Sequence, residues 1–225
     1  MSTWVEIADG VRMMSYSFGP GRANTLAVRL EPRSWLIISP SAGAPEAALD
    51  EIDREGAATA LIAPNAYHHL GQTTWRARFP SAVSYAPEGA LPRLAKVCPN
   101  VPFRSIRELT LPSHVGFFEP KGMRNPDLML RVDTPKGIVW FSGDVISNTT
   151  PADLVAPLRW LFTLVGGGPG FRLNNMPAMA YLKDRPTWKA SVREAMAAHP
   201  PSIVVPAHGD PVTEDAERRT NALLV

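Results

Sequence analysis

The stretch that decides the fold is residues 58–71, ATALIAPNAYHHLG. Residues 58–63 form an apolar run that ends at Pro64, which is typical of a buried strand leading into a loop. The loop, residues 65–71, carries the adjacent histidines His68 and His69. Because side chains at the ends of sheet strands converge on one rim, where open clefts form, both histidines are candidates for a site. Adjacent histidines also occur in ordinary polar loops, and that alternative stays open here.

The sequence on either side of this stretch predicts an α/β pattern. Runs rich in apolar and β-branched residues precede it and predict strands at 11–18, 25–30 and 34–39. A helix is predicted at 45–55, with Pro45 at its first position and Gly56 as its stop signal. A strand is predicted at 82–85 and a helix at 91–97, so strand, helix and strand alternate.

The second half of the chain predicts strands at 128–132, 137–142 and 202–205 and helices at 184–199 and 214–224. The first two strands are joined by residues 133–136, a hairpin-like connection. The second strand leads directly into Gly143-Asp144. The third leads into Pro206-Ala207-His208-Gly209, where the glycine permits close backbone approach.

This order of elements predicts one domain over residues 1–225, built as a four-layer αββα sandwich. Two sheets would face each other, with the helices outside. A parallel doubly wound sheet is less favoured, because most of the predicted strand clusters are linked as hairpins.

Composition gives no reason to expect nucleic acid or membrane as a partner. The 225 residues contain 23 Lys and Arg against 21 Asp and Glu, a net charge of +2. The longest apolar run, residues 160–171, is too short and too rich in glycine to span a membrane. The one cysteine, Cys98, is expected to be a small buried side chain rather than a nucleophile. A cytoplasmic location is the default expectation.

Four side chains that follow predicted strands could bind a metal ion. They are His68, His69, Asp144 and His208. Imidazole and carboxylate are ligands that suit Zn²⁺ or another first-row metal. An Asp after a strand is also a common turn or cap residue, and spacing alone does not show that the four meet. Two further histidines, His114 and His199, are expected to have structural roles.

The same residues resemble the motifs of the metallo-β-lactamase superfamily. The motif H-x-H-x-D-H-x-G aligns with residues 64–71, Gly143-Asp144 matches the later Gly-Asp, and residues 206–209 match the closing Pro-x-His-Gly. The first motif is most similar to that of a subfamily with the signature A-P-N-x-x-H-H-L, followed here by Trp75 and Phe79-Pro80. The resemblance covers residues 4–225 and implies the superfamily's fold.

The chain departs from this pattern at the first metal site. The first two motif histidines fall on Pro64 and Ala66, and the motif Asp falls on His68. A mid-chain histidine has no counterpart near residues 121–125. What remains corresponds to the second site, so the resemblance implies at most one ion, Zn or Fe, held by His68, His69, Asp144 and His208.

A metal-dependent hydrolase of an ester, amide, thioester or phosphoester is the leading functional hypothesis. Asp144 and His68 are its candidate catalytic residues, the first to bind the ion or orient the nucleophile, the second to accept a proton. A metal-bound imidazole lacks a free lone pair for that task, and four protein ligands can close the site to water. A non-catalytic binding or regulatory protein, with vestigial metal or none, is therefore the main alternative, and an iron oxidoreductase is a third.

The apolar, glycine-rich segment 154–171 is expected to act as a lid over the rim, to form a packed helix and loop, or to form a dimer contact. The expected partners are a small-molecule substrate and a second copy of the chain.

Overall fold

The computed structural model describes residues 3–19, 21–153, 160, 163–164 and 167–225. The chain divides into two units. The first comprises Met1–Tyr16 and Asn24–Val115, and the second comprises Ser17–Ala23 and Gly116–Val225. That residues 1–225 form one domain stays a prediction.

A seven-stranded sheet lies mostly in the first unit, with its strands in chain order. The strands are β1 (Val5–Ala8), β2 (Val11–Ser17), β3 (Arg22–Glu31), β4 (Ser34–Ile38), β5 (Ala57–Ile62), β6 (Val83–Ala86) and β7 (Phe103–Ser105). The pairs β1–β2 and β3–β4 are antiparallel, but β4–β5, β5–β6 and β6–β7 are parallel. Antiparallel links are thus confirmed for β1–β2 and β3–β4, whereas β4 to β7 are joined through helices, as the predicted alternation of strand, helix and strand indicated.

Three helices of the first unit fill those crossovers. They are α1 (Glu46–Glu55), α2 (Gln72–Arg78) and α3 (Leu91–Val97). Pro45 is the N-cap of α1 rather than its first helical residue. Helix α2 was not predicted, because Trp75 is the only large apolar residue in its sequence. The core here contains the fully buried Trp35 and Trp75.

The second unit is built on a four-stranded sheet in the order β13-β10-β9-β8. Its strands are β8 (Val115–Phe118), β9 (Met129–Thr134), β10 (Gly137–Phe141) and β13 (Pro201–Val205). The predicted β9–β10 hairpin is confirmed, and β13 lies parallel to β10. A separate antiparallel pair, β11 (Ile146–Thr149) and β12 (Gly170–Leu173), was not predicted.

The described helices of this unit are α4 (Asn175–Tyr181), α5 (Arg185–Ala198) and α6 (Ala216–Leu224). The prediction for α5 is confirmed: Asp184 is the N-cap, and its side chain accepts a hydrogen bond from the Thr187 amide. Trp188, Val192 and Met196 are all buried. Their four-residue spacing places them on the helix face that packs into the core of this unit.

The segment 154–171, expected to be a lid, a packed helix and loop, or a dimer contact, lies largely outside the described residues. Its described C-terminal end is not loop, because Gly170 and Phe171 belong to β12. In the part of the chain that the structure describes, no helix has the length and apolar character needed to cross a membrane.

Candidate metal site

Asp144 lies just beyond the C-terminal end of β10, in a tight turn. Only glycine fits at position 143, which precedes it. Gly143 has φ +66°, and a Cβ atom there would lie 2.4 Å from the Asp127 Oδ2 atom. That oxygen accepts a hydrogen bond from the Asp144 amide at 2.7 Å. The carboxylate of Asp127 therefore holds the backbone of Asp144 in place, and the side chains of both residues are buried.

Asp127 is a residue that the sequence reasoning missed, although the hairpin carried a signal for it. The antiparallel register pairs Phe141 with Leu130. Extending that pairing by three residues on each strand brings residue 127 opposite residue 144. Residue 127 lies just before β9, and the neighbouring strand β10 leads into Gly143-Asp144. A polar residue at position 127 is therefore a candidate to support Asp144.

The two carboxylate oxygens of Asp144 have different surroundings. Oδ2 accepts a hydrogen bond from the Tyr181 hydroxyl at 2.8 Å. Oδ1 lies 3.4 Å from the Nε2 atom of His208. Tyr181 is the last residue of α4 and is buried. Sequence reasoning missed Tyr181 because α4 itself was not predicted.

His208 is aligned with Asp144 by the pairing of their two strands. The parallel register pairs Phe141 of β10 with Val205 of β13. Asp144 and His208 each follow their strand by three residues, so both reach the same end of the sheet. The Ala207 amide donates to the Gly143 carbonyl at 3.1 Å and ties the two loops together.

Hydrogen bonding orients the His208 ring. Its Nδ1 atom lies 2.7 Å from the Arg22 carbonyl oxygen, which can only accept, so Nδ1 carries the proton. In the neutral ring, Nε2, the atom that faces Asp144, is therefore the unprotonated nitrogen. Gly209 has φ +94°, and a Cβ there would lie 2.1 Å from the Asn148 carbonyl oxygen. The glycine after His208 is thus needed for close backbone approach, as the sequence suggested.

The charges around His208 favour its cationic form. Desolvation by itself lowers the pKa of His208. The adjacent carboxylate of Asp144, the Arg22 carbonyl and the charge of Asp127 outweigh it, so the net pKa lies above the ordinary value. A cluster of two carboxylates around one imidazole is a site that attracts positive charge, whether a proton or a metal ion.

His68 belongs to the first unit, where it is nearly fully buried. Its Nδ1 atom lies 2.6 Å from the Ser39 Oγ atom. The side chain of Asn65 accepts hydrogen bonds from the backbone amides of Tyr67 and His68, at 2.9 and 3.2 Å, and so shapes the loop after β5. This arrangement holds the His68 ring by one nitrogen.

His69, also in the first unit, is half-buried. Burial lowers the pKa of His69, a hydrogen bond with the Ala66 backbone raises it, and the charges of Arg93 and His68 lower it, with a net fall. The ring is therefore neutral at pH 7, as a metal ligand must be. A role for His69 in metal binding stays a prediction.

The other two histidines have contacts that suit structural roles. The Nε2 atom of His114 lies 3.2 Å from the Arg29 carbonyl oxygen. His199 caps the C-terminal end of α5, and its carbonyl accepts a hydrogen bond from the Trp140 indole at 2.8 Å. Arg131 also contacts its ring, with Nη1 2.8 Å from Nε2.

The structure thus brings Asp144 and His208 together within the second unit, supported by Asp127, Tyr181 and the Arg22 carbonyl. His68 and His69 lie in the first unit. The imidazole of His208 and the carboxylate of Asp144 are donors for which zinc and iron are both suitable ions.

Solved metallo-β-lactamases are similar to the whole chain in structure. The metallo-β-lactamase from Hirschia baltica is 16% identical, with a TM-score of 0.65, and the match covers 98% of this chain and 96% of that chain. The enzyme from Pontibacter korlensis is 15% identical, with a TM-score of 0.65 and coverage of 98% and 97%. FIM-1 from Pseudomonas aeruginosa, in its mono-zinc form, is 16% identical, with a TM-score of 0.64 and coverage of 99% and 94%.

No family model and no curated protein matches the sequence. At 15–16% identity, the structural likeness concerns the fold. The chain has the metallo-β-lactamase fold, so the predicted fold class is confirmed, and the resemblance to that superfamily is shown as a likeness of fold. The more specific signature A-P-N-x-x-H-H-L stays a resemblance.

Proposed function

We propose that this protein is a metal-dependent hydrolase with a single ion, Zn²⁺ or Fe, bound by Asp144, His208 and His68. The observation that carries the proposal is the separation of 3.4 Å between the His208 Nε2 atom and the Asp144 Oδ1 atom. At this separation the two groups interact as a hydrogen-bonded and electrostatic pair, and together they attract one positive charge, a proton or a metal ion.

The same separation suits two ligands of one ion. Zinc binds imidazole nitrogen and carboxylate oxygen at about 2.0–2.2 Å, and two such ligands at a tetrahedral angle are about 3.4 Å apart. In the neutral His208 ring, the Arg22 carbonyl holds the proton on Nδ1, so Nε2 is the nitrogen that would bind the ion. Such an outer hydrogen bond to the second ring nitrogen is typical of metal-binding histidines.

Asp144 is prepared for the same role. The Tyr181 hydroxyl occupies Oδ2, and the Asp127 carboxylate holds the Asp144 amide. Oδ1 is thereby directed to the side of His208. Tyr181 and Asp127, neither of which would contact the ion, would thus fix the orientation of Asp144, which would. This preorganisation reduces the free-energy cost of assembling the site.

His68 is proposed as the third ligand, and each of the three side chains can offer one ligand atom. A ligand role suits His68 better than the predicted role of proton acceptor, because its Nδ1 atom is already engaged by Ser39. His69 remains a candidate fourth ligand. With three protein ligands, a tetrahedral ion retains a position for water or a small-molecule substrate.

The ion would supply Lewis-acid chemistry and a water of lowered pKa, which suits hydrolysis near neutral pH. The protein's own contribution would be to hold the ligand atoms of Asp144, His208 and His68 in fixed positions, so that the ion is bound in one coordination geometry. An ester, amide, thioester or phosphoester remains the proposed substrate class, and a homodimer remains a prediction for light scattering to check.

A non-catalytic binding protein is the second candidate, and one observation favours it. The positions of two usual metal ligands are held by Pro64 and Ala66, and both are buried in the first unit. Their side chains cannot bind an ion. A site reduced in this way could bind metal without turning over a substrate.

Metal analysis tests the proposal most directly. Wild-type protein purified without chelators or added metal is expected to contain about one ion per chain, and H208A and D144A less than about 0.1. H114A serves as the control, because His114 instead contacts the Arg29 carbonyl, and it is expected to keep the wild-type metal content. Wild-type protein with less than about 0.1 ion per chain after zinc and iron addition would remove the hydrolase proposal.

Activity separates the two candidates once metal is present. A β-lactam, a p-nitrophenyl ester, a thioester and a phosphodiester cover the proposed bond types. Hydrolysis that is lost with a chelator, restored by zinc and absent in H208A would support the enzyme. One bound ion with no turnover on any of the four would favour the binding protein. Redox-active iron with an absorbance band would instead favour the oxidoreductase.

A further inference from the structure

A short segment that connects β2 to β3 belongs to the second unit and contacts His208. The segment is Ser17–Ala23, whereas the chain immediately before and after it belongs to the first unit. The ring of Phe18 packs against the His208 ring in a T-shaped arrangement, with the centroids 5.6 Å apart. The Arg22 carbonyl oxygen lies 2.7 Å from the Nδ1 atom of the same ring. The position of this segment therefore affects how the His208 ring is held.

The side chain of Arg22 extends from this segment into an ion pair within the second unit. Its Nη1 atom donates to the Oδ1 atom of Asp153 at 3.0 Å, across 131 positions of sequence. The Arg22 side chain is 47% exposed, whereas that of Asp153 is only 3% exposed. An exposed arginine can adopt many rotamers, so a fixed and buried acceptor restricts it strongly.

Asp153 is itself fixed by a tight turn. Its Oδ2 atom accepts hydrogen bonds from the Thr150 amide at 2.6 Å and from the Thr150 hydroxyl at 3.0 Å. Its own amide donates to the Thr150 carbonyl at 3.1 Å. The two carboxylate oxygens thus have separate roles, since Oδ2 closes the turn and Oδ1 binds the guanidinium of Arg22. A buried carboxylate needs a partner, and Arg22 supplies the positive charge.

We infer that Asp153 is a positioning residue for the candidate metal site, because it holds Arg22 where the Arg22 carbonyl orients the His208 ring. This inference rests on the proposed function, since it explains how His208 would be kept in the orientation of a ligand. Metal-binding histidines commonly donate their second ring N–H to a backbone carbonyl. Every residue has a carbonyl, so the sequence can select only where that carbonyl lies. An ion pair made by the side chain of the same residue is a direct means of selecting it.

The contacts run without a gap from Asp153 to the site. The Arg22 side chain binds Asp153 at 3.0 Å, and its carbonyl lies 2.7 Å from Nδ1 of His208. Nε2 of that ring lies 3.4 Å from the Asp144 Oδ1 atom. Because both nitrogens belong to one rigid ring, a shift of the Arg22 carbonyl moves Nε2 relative to Asp144. Loss of the charge at position 153 should therefore weaken metal binding although every proposed ligand is still present.

NMR of the His208 ring tests the positioning role without any metal. In metal-free wild-type protein, the Nδ1 proton is expected to give a downfield signal that exchanges slowly with water, since a carbonyl accepts it. H208A assigns this signal by its absence. D153N keeps the shape of the side chain and removes its charge, and in this variant the signal is expected to move upfield or to be lost by exchange. An unchanged His208 signal in D153N would overturn the inference.

Zinc affinity, measured by competition with a chromophoric chelator, gives the second readout. D153N is expected to bind zinc about tenfold more weakly, at the lower end of the usual effect of altering the outer contacts of a ligand. D133N is the matched control, because Asp133 also pairs with an arginine of the second unit, Arg131, at 3.2 Å. Asp133 is paired with Ile138, at the opposite end of the β9–β10 hairpin from Asp144. Equal zinc affinities for D153N and D133N would contradict the inference.

The variant R22A keeps the test valid if D153N folds poorly. It removes the exposed side chain and leaves the carbonyl of residue 22 in the chain, and it is expected to change the His208 signal and the zinc affinity as D153N does. The double variant R22A/D153N is expected to bind zinc no more weakly than the weaker single variant, because both changes break one pair. Losses that add would show two separate effects and overturn the inference. If wild-type protein binds no metal at all, the proposed function fails, and the His208 signal still decides the role of Asp153.

Discussion

Replacing Tyr181 by phenylalanine removes its hydroxyl, and with it the hydrogen bond to Asp144, while preserving shape. The Tyr181 hydroxyl donates to the Asp144 Oδ2 atom at 2.8 Å, and only 4% of Tyr181 and 5% of Asp144 are exposed. A hydrogen bond to a charged group contributes about 1.5–3 kcal/mol, and water cannot readily replace the lost donor here. We expect Y181F to lower the free energy of unfolding by that amount.

Thermal and urea unfolding, followed by circular dichroism, measure this effect. For a chain of this length, about 1.5–3 kcal/mol corresponds to a fall in Tm of about 3–12 °C. Y85F is the matched control, because Tyr85 is also buried and its hydroxyl makes no hydrogen bond within the described ranges. The reasoning is refuted if Y181F destabilises the protein no more than Y85F does.

The same variant tests the proposed metal site. Without the Tyr181 hydroxyl, the carboxylate of Asp144 loses the contact that holds Oδ2. Zinc affinity is expected to fall about 10–100-fold in Y181F, measured by chelator competition, and to stay at the wild-type level in Y85F. Equal zinc affinities for the two variants would mean that Tyr181 contributes to stability alone.

Three further predictions concern the rest of the chain. G71A is expected to lower the free energy of unfolding by about 1–3 kcal/mol in urea titrations, because a Cβ there would lie 2.2 and 2.3 Å from two backbone oxygens. G116A, whose Cβ would meet nothing closer than 3.6 Å, should cost clearly less, and equal losses would contradict the steric argument. Hydrogen bonds from the amide and then the hydroxyl of Thr187 lower the pKa of Asp184. Ionised Asp184 therefore stabilises the fold fully above the pKa that it has in the unfolded chain, and this stabilisation is lost as the pH falls through its pKa in the folded protein. Urea midpoints between about pH 5 and pH 2 should therefore fall less steeply for D184N than for the wild type, and parallel curves would argue against this cap. Burial raises the pKa of Cys98, so its thiol should react with a disulfide reagent more than about tenfold more slowly at pH 7 in the native protein than in urea, and similar rates would show an accessible thiolate.

Local sequence patterns predicted most elements that have a strong apolar period. Helix α3 was predicted with its observed bounds, and the strands β4, β5, β10 and β13 were each predicted to within a residue at either end. The four strands bury most of their apolar side chains, so their sequence pattern reflects their packing directly, whereas helix α3 buries only Leu94. Helices α2 and α4 were missed, since neither sequence has a clear apolar period.

The candidate ligands were predicted from sequence because each follows an apolar strand. The residues that support them were not predicted. Asp127 and Tyr181 lie 17 and 37 residues from Asp144 along the chain. Their roles depend on the β9–β10 register and on the position of a helix that has no clear sequence signal. The predicted hairpin contains the register that places Asp127, but the docking of the helix that carries Tyr181 is non-local, so no short window of sequence contains it.

From its residues alone, the chain reveals an α/β fold, the strand ends that carry histidine and aspartate, and the glycines that must follow or precede them. Which strands are neighbours was decided by tertiary structure, most clearly where β10 and β13 lie parallel and in register. That pairing puts Nε2 of His208 3.4 Å from Oδ1 of Asp144, although the residues are far apart in sequence. The physical reason is that apolar burial selects each strand locally, whereas backbone hydrogen bonding between distant strands selects its partner.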